Sequence, residues 1–345
     1  MGRPSVLYVS HAAHVAPTTQ VHRERGLLAA ARLGEAHLHV STLAPKDVLS
    51  VGAFHRRPRA DGDVSLWTRH TGGRAVPAGR GFVVVSLSLP HRSALVDANR
   101  LTLSPEQGMN RAVRGVLRAL RARGLDVSYP GLDLVTLDRR RIATLSFIEW
   151  GGPVLFQAIV AVAGSFAGGP FLLDRADPDG VVPADFVSPG EVTHATRVAG
   201  ASIEADLAPA AFAGAVARGY ADEFGLNTRD LDEDVTRVLA DAHAADQEPF
   251  RAPDPAGRSA RAAGLIGPVE AWATVEDECL SSFALTGDFL APRDAPASLA
   301  AALRGRRPEP AEIAATLEAF LDRDDRYFLG IRPPDLADLI ARAAA

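Results

Sequence analysis

Thr68-Arg69-His70-Thr71-Gly72-Gly73-Arg74-Ala75-Val76, followed closely by Gly81-Phe82-Val83-Val84-Val85-Ser86-Leu87, is the stretch on which the fold turns. An Arg-x-Thr-Gly-Gly turn feeding a strongly apolar run reads as a donor-rich loop pinned to a buried strand. Two adjacent glycines let backbone approach a ligand closely, and consecutive N–H groups can form an anion-binding nest. Arg69 and Arg74 would add planar, permanently charged forks suited to carboxylate or phosphate. Taken alone, the pattern fits a hairpin turn with solvated arginines equally well.

The neighbouring blocks separate the two readings. Upstream lies Asp47-Val48-Leu49-Ser50-Val51-Gly52-Ala53-Phe54-His55. Downstream come Leu132-Asp133-Leu134-Val135, then Arg139-Arg140-Arg141-Ile142-Ala143-Thr144. The tail carries Phe283-Ala284-Leu285-Thr286-Gly287-Asp288-Phe289 and Tyr327-Phe328-Leu329-Gly330-Ile331. In order and spacing these blocks resemble the lipoate–protein ligase branch of the biotin/lipoate ligase superfamily. The resemblance implies an α+β catalytic domain with a mixed sheet and flanking helices, plus a small α+β accessory domain. It also implies a reaction: ATP, with Mg²⁺, activates a small acyl acid such as lipoate or octanoate to an acyl-adenylate. The acyl group then passes to an amine, typically a lysine of a lipoyl-type carrier domain. Arg69, His70, Thr71, Gly72, Gly73, Arg74 and Ala75 would wrap the adenylate, with His55, Phe82 and Asp133 beside it. The family's catalytic lysine falls on Arg141.

Several positions depart from that pattern. Thr68 stands where the family has arginine, Arg74 where it has a third glycine, and Ala78-Gly79 where it has His-Asp. Phe82 and Leu132 replace asparagines, and Thr144 replaces a glycine. Lys46 is the only lysine among 37 basic residues, so Arg141 fits a general exchange of lysine for arginine. The exchange is conservative only where a positive point charge suffices, because the guanidinium is longer, planar and permanently protonated. Three readings follow: a lipoate-type ligase, a diverged ligase or acyltransferase with another acid or amine, and a non-catalytic acyl- or partner-binding relative.

Composition narrows the class. At 345 residues the chain can build two cores. A net charge of -5, with no arginine cluster interleaved with aromatics, argues against nucleic acid. Cys279 is alone, which excludes an intrachain disulfide framework and a cysteine-built zinc cluster. The superfamily's octanoyltransferases use a cysteine in the catalytic domain, whereas Cys279 falls in the accessory region and reads as a small core residue. Val6 to Val9 is too short for a signal-peptide core, and the apolar run from Pro153 to Phe166 falls short of a membrane span. A cytoplasmic protein without membrane contact is expected.

Periodicity supplies the elements. Val6–Val9, His37–Ser41, Val83–Leu89, Val269–Val275 and Leu280–Leu285 read as strands, the last two joined by Glu276-Asp277-Glu278. Arg23–Leu33, Pro209–Phe224 and Thr228–His243 read as helices, as do segments around Ile313–Leu321 and after Pro333-Pro334-Asp335. Ser104-Pro105-Glu106-Gln107 predicts a capping box opening a helix that Gly124 stops, with Arg111, Arg114, Arg118 and Arg121 on a solvated face. Gln247 to Ser259, rich in proline, reads as a linker. The expected division is 1–246 catalytic, 247–263 linker and 264–345 accessory. His11, His14 and His22 do not make a metal site if Pro17 interrupts their helix. Asp174-x-x-Asp177-x-Asp179-Gly180 lacks the distal glutamate of a calcium loop and reads as a turn.

Overall fold

The computed structural model describes residues 3–44, 47–58, 64–96, 103–186, 188–231 and 256–345. In chain order the first half holds β1 (Val6–Val15), α1 (Pro17–Arg32), β2 (Ala36–Leu43), β3 (Val48–Val51), β4 (Ser65–Thr68), β5 (Val76–Pro77) and β6 (Phe82–Leu89). Next come α2 (Pro105–Arg121), β7 (Val127–Gly131), β8 (Leu134–Leu137), β9 (Arg140–Glu149) and β10 (Val154–Ala161). Short helices α3 (Gly169–Ala176), α4 (Ala195–Ala199) and α5 (Ile203–Asp206) lead to α6 (Pro209–Phe224) and β11 (Asn227–Asp230). The C-terminal part contains β12 (Arg258–Ala263), β13 (Pro268–Glu276) and β14 (Cys279–Gly287). Helices α7 (Ala295–Leu303), α8 (Pro310–Leu321) and α9 (Pro333–Ala344) follow them.

The main sheet is mixed and eight-stranded, in the order β11-β1-β2-β6-β10-β9-β8-β7, with only the β11-β1-β2 edge parallel. One face packs on α2 and α6. On that face Val83, Val85, Leu87, Leu145, Phe147, Phe156 and Ala158 meet Val113, Val116, Leu120, Phe212 and Val216. The other face carries Ser86, Ser146 and Gln157, all buried, and lies under α1 and a small sheet in the order β4-β3-β5. Gln157 stands opposite Ser86 on one side and Ser146 on the other, so three neighbouring strands bring one polar side chain each to the same buried level of that face.

Helix α2 opens as its sequence dictates: Gln107 N–H donates to Ser104 Oγ, Gln107 Oε1 accepts from the Ser104 N–H, and Pro105 takes the first turn. Its arginines are not simply solvated. Arg114 and Arg118 both bond Glu223 of α6, and Arg121 donates to the Val127 carbonyl. The two helices meet closely because Gly115 and Gly219 face each other; a Cβ on Gly219 would stand 2.7 Å from the Gly115 carbonyl oxygen.

Other expectations change with the structure. Pro17 does not interrupt a helix but starts α1, where its missing N–H is harmless. Residues 228–230 are strand, not helix, because the open edge of β1 takes them in parallel register, Val6 opposite Asn227; residues 232–243 lie outside the described residues. Arg139 belongs to a turn. Asp138 and Arg139 both have positive φ, forming the two-residue connection whose twist suits a hairpin. Asp277 and Glu278 repeat that device between β13 and β14. Of the expected linker, residues 247–255 lie outside the described residues, and Arg258–Ala263 is strand β12. Cys279 is part-exposed at the end of that hairpin, not in the core.

Strands β12–β14 form a separate sheet, yet their core is shared. Val269, Ala271, Leu285, Phe289, Leu299, Leu317 and Leu339 cluster with Leu27, Leu28, Phe54, Ile148, Trp150 and Leu155 of the first half. No helix among the described residues is long and apolar enough to cross a membrane.

Candidate functional site

The glycine loop, residues 69–75, runs from β4 to β5 over the polar face of the main sheet. Arg69 is almost wholly buried. It donates to Ser50 Oγ (2.7 Å) and to the carbonyls of Gly72 (3.2 Å) and Arg74 (2.8 Å). Its fork is therefore used to shape the loop, not offered to a ligand. Burial pulls the guanidinium down to about 10, against the charges of Glu24, Asp288 and Asp133.

His70 is buried with its ring tilted against Trp150, and its N–H donates to Glu24 Oε2 (3.1 Å). Burial, with Arg25 adding to it, drives this imidazole down to about 3, so it is neutral at physiological pH. Thr71 Oγ1 lies 2.8 Å from Ser146 Oγ and 2.7 Å from Gln157 Oε1. Ala75 packs in a small core with Leu49, Val51 and Leu172. Phe82 packs at a tilt against Phe166 in the core, where a Cβ on Gly164 would strike its ring. It belongs to a core cluster with Trp67, Val76 and Val84.

Arg74 reaches across to β8 and donates through Nε to Asp133 Oδ2 at 2.6 Å. Asp133 is completely buried. Burial raises its carboxyl above the usual range, while Arg74 and Arg141 oppose that rise. Arg141, near the start of β9, is buried and interacts electrostatically with Asp133, Arg74, Glu191 and Asp288. Its Nε is a buried donor with no hydrogen-bond partner among the described residues. The structure thus brings Arg74, Asp133 and Arg141 together beside Gly72 and Gly73.

The side facing the glycines is filled by the chain itself. Gly73 N–H donates to the Phe289 carbonyl (2.9 Å), and Gly287 N–H donates to the Phe54 carbonyl (3.1 Å). Phe54 and Phe289 stack with centroids 4.6 Å apart. A Cβ on Gly72 would lie 2.4 Å from the Phe289 carbonyl oxygen, and Gly73 has φ +92°, so both glycines are required by this contact. Asp288 enters the cluster completely buried, its Oδ1 2.8 Å from His55 Nε2. His55 Nε2 is also 3.2 Å from the Gly73 carbonyl, where the angle is that of a hydrogen bond; neither Asp288 oxygen has such a bond among the described residues.

Sequence reasoning missed Asp288 as a site residue, although it sits in a quoted block. It also missed Glu24, whose signal was legible. Gln20 and Glu24 are one turn apart on the apolar side of α1 and both are fully buried. Among the described residues no set of three His, Cys, Asp or Glu side chains could hold a metal ion. Asp177 accepts the Val182 N–H (2.6 Å) inside a turn.

A large mixed sheet with flanking helices, a glycine loop on its polar face and an appended three-stranded unit define the biotin/lipoate protein ligase fold. LipL1 from P. falciparum, in complex with lipoate, superposes over 91% of this chain and 94% of its own with a TM-score of 0.58 at 10% identity. An archaeal bipartite lipoate protein ligase from Thermoplasma acidophilum covers 72% of this chain and 97% of its own (TM-score 0.47, 15% identity). A biotin protein ligase from Leishmania major covers 82% and 95% (TM-score 0.35, 12% identity). The fold assignment rests on the first of these, which follows the chain through the accessory region. No family model and no curated protein matches the sequence.

Proposed function

We propose that this chain is an acyl ligase of the lipoate type, diverged in its catalytic centre, which joins a small acyl acid to an amine through an ATP-activated intermediate. One observation carries the reading: the glycine loop with Arg74, Asp133 and Arg141, from three separate blocks of sequence, meet at one buried centre. The fold shared with a lipoate-bound protein supports it. The residues fit a phosphorylated substrate. Arg141 keeps an unused buried donor, and the two glycines allow a close backbone approach at a place that the Phe289 carbonyl fills in this structure. Mg²⁺ is expected to arrive with the nucleotide, since the described residues offer no three-ligand cluster.

In the first step a carboxylate oxygen of the acid attacks the α-phosphorus of ATP and pyrophosphate leaves. In the second an amine nitrogen attacks the acyl carbon, AMP leaves and the nitrogen loses a proton. Arg141 and Arg74 would hold the negative charge of the transferring phosphate, and Asp133 would keep Arg74 aimed. A lipoyl-type carrier domain is the proposed acceptor. Substrate entry requires the Gly287–Leu290 segment to leave the loop.

A second reading, an acyl- or partner-binding protein without ATP chemistry, is favoured by that same segment, because Asp288 and Phe289 already occupy the loop face. ATP–pyrophosphate exchange with lipoate, octanoate and other medium-chain acids decides between them. Acid-dependent exchange supports the ligase. Saturable acid binding with no exchange across the panel removes it in favour of the binder.

A further inference from the structure

Helix α1 sends one carboxylate beneath the glycine loop. Glu24 is fully buried, mid-helix, and its two oxygens have different partners. Oε2 accepts the His70 N–H at 3.1 Å, and Oε1 accepts Gln157 Nε2 at 2.9 Å. Gln157, on central strand β10, turns its own oxygen to Thr71 Oγ1 at 2.7 Å and shares its amide with Ser86 Oγ at 3.1 Å. One side chain is thereby tied to two consecutive loop residues, directly to residue 70 and through Gln157 to residue 71. Both ties end just before Gly72-Gly73, where the backbone has least preference of its own.

Arg69 brackets the same glycines from the other side through the carbonyls of Gly72 and Arg74. A buried network of this kind is costly for a fold that needs only packing. Gln20 Nε2 is left without a partner among the described residues, and a leucine would fill the space with no polar group to satisfy.

We infer that Glu24 is the positioning residue of the glycine loop, holding His70 and Thr71 so that Gly72, Gly73 and Arg74 present one fixed ligand-facing geometry. This rests on reading that loop as the ligand site. Ionised, the carboxylate accepts both donors; protonated, it turns an O–H toward one of them and the loop loses a tie. Burial lifts Glu24 to about 7, so the tie strengthens across neutral pH. The charged group facing it is Arg69; Gln20, Gln157 and Ser86 are neutral, and the His70 ring stays uncharged. His22 and Arg25 of α1 and Arg293 act on His70 from beyond.

Hydrogen exchange on the full chain, corrected for intrinsic rates, tests this between pH 6 and 8. Protection of the His70, Gly72 and Gly73 amides is expected to rise about tenfold with pH in the wild type. It should stay flat in Glu24→Gln, while amides of Val113 to Val116 in α2 do not change in either. His22→Gln should keep the wild-type profile. Matching profiles in wild type and Glu24→Gln overturn the assignment. If Glu24→Gln does not fold, Thr71→Val cuts the far tie together with the Ser146 contact of the same hydroxyl. Gly72 and Gly73 should then lose about tenfold protection with His70 unaffected, and unchanged glycines overturn the assignment. Ser146→Ala, which removes that second contact alone, should keep wild-type protection. Exchange of pyrophosphate is the separate arm. Its absence in the wild type counts against the ligase alone, since loop protection is read without substrate. Where it occurs, Glu24→Gln should raise KM about tenfold more than it lowers kcat and flatten the pH profile.

Discussion

Arg141 decides what chemistry the centre can perform. It is buried beside Asp133 and Arg74, with a donor to spare, so its charge is screened less than that of a surface arginine. If it serves as the positive group against a phosphate, Arg141→Ala should slow pyrophosphate exchange by roughly 10²-fold or more. Arg141→Lys separates two cases. Retained or raised activity means that only a point charge is used, and lost activity means that the fork is needed. Exchange that Arg141→Ala leaves untouched would put the active centre elsewhere. Asp133 answers to stability as well. Removing it takes from Arg74 its ion-pair partner and leaves Arg141 only Glu191 and Asp288 among the described residues, so Asp133→Ala should destabilise the fold by about 3–5 kcal/mol in urea titration. A loss below about 1 kcal/mol would mean that the arginines find water once the carboxylate is gone.

At the scale of elements, the loop and the segment after β14 are fitted to each other. A Cβ on Gly72 would meet a backbone oxygen and the Phe54 ring, neither of which can yield cheaply. Gly72→Ala is therefore expected to cost about 1–3 kcal/mol and to loosen the Phe54–Phe289 stack, read as new exchange at the Gly73 and Gly287 amides. Wild-type protection at both amides would refute the fit. Elements whose information is local were legible in the sequence. The capping box of α2, the limits of α6 and the hairpin around Asp277-Glu278 were read from their own residues. Elements that depend on a distant partner were not. β11 has four exposed residues and forms because β1 offers an edge. Phe82 was placed beside the ligand by its position in a motif; side-chain alternation along β6 puts it on the Ser86 face, but that its ring meets Phe166 there depends on a residue far along the chain. Asp288 could not be seen as a site residue because its role comes from tertiary contact with His55, Arg69 and Arg141, all more than 140 residues away in the chain.

The whole molecule joins two sheets through one hydrophobic cluster, in which Leu27, Leu28, Phe54, Ile148 and Trp150 are covered by the C-terminal part. We propose that residues 264–345 act as an accessory unit that cannot be removed freely. A chain ending at 246 should expose that patch and aggregate; a soluble, cooperatively folded fragment would contradict it. Titration of the intact chain tests the interior as a unit. Glu24 rises from 4.5 to about 7 on folding, so the folded state holds a proton that the unfolded chain has lost, and stability from this group falls between those pH values. His39 and His70 drop from 6.5 to about 3, so each unfolded imidazole holds a proton that the folded one lacks, and stability rises with pH over that window. Asp133, raised, and His37, lowered, act in opposite directions. Between pH 5 and 6.5 two imidazoles oppose one carboxylate, which leaves a net rise of about 1 kcal/mol per pH unit that fades to a plateau near pH 7. Glu24→Gln removes the opposing carboxylate. Its urea stability should climb about twice as steeply over the same range and go on rising through pH 7, where the wild type has levelled off. Parallel curves for the two proteins would mean that Glu24 ionises as freely in the fold as in water, and the buried tie beneath the glycine loop would lose its electrostatic basis.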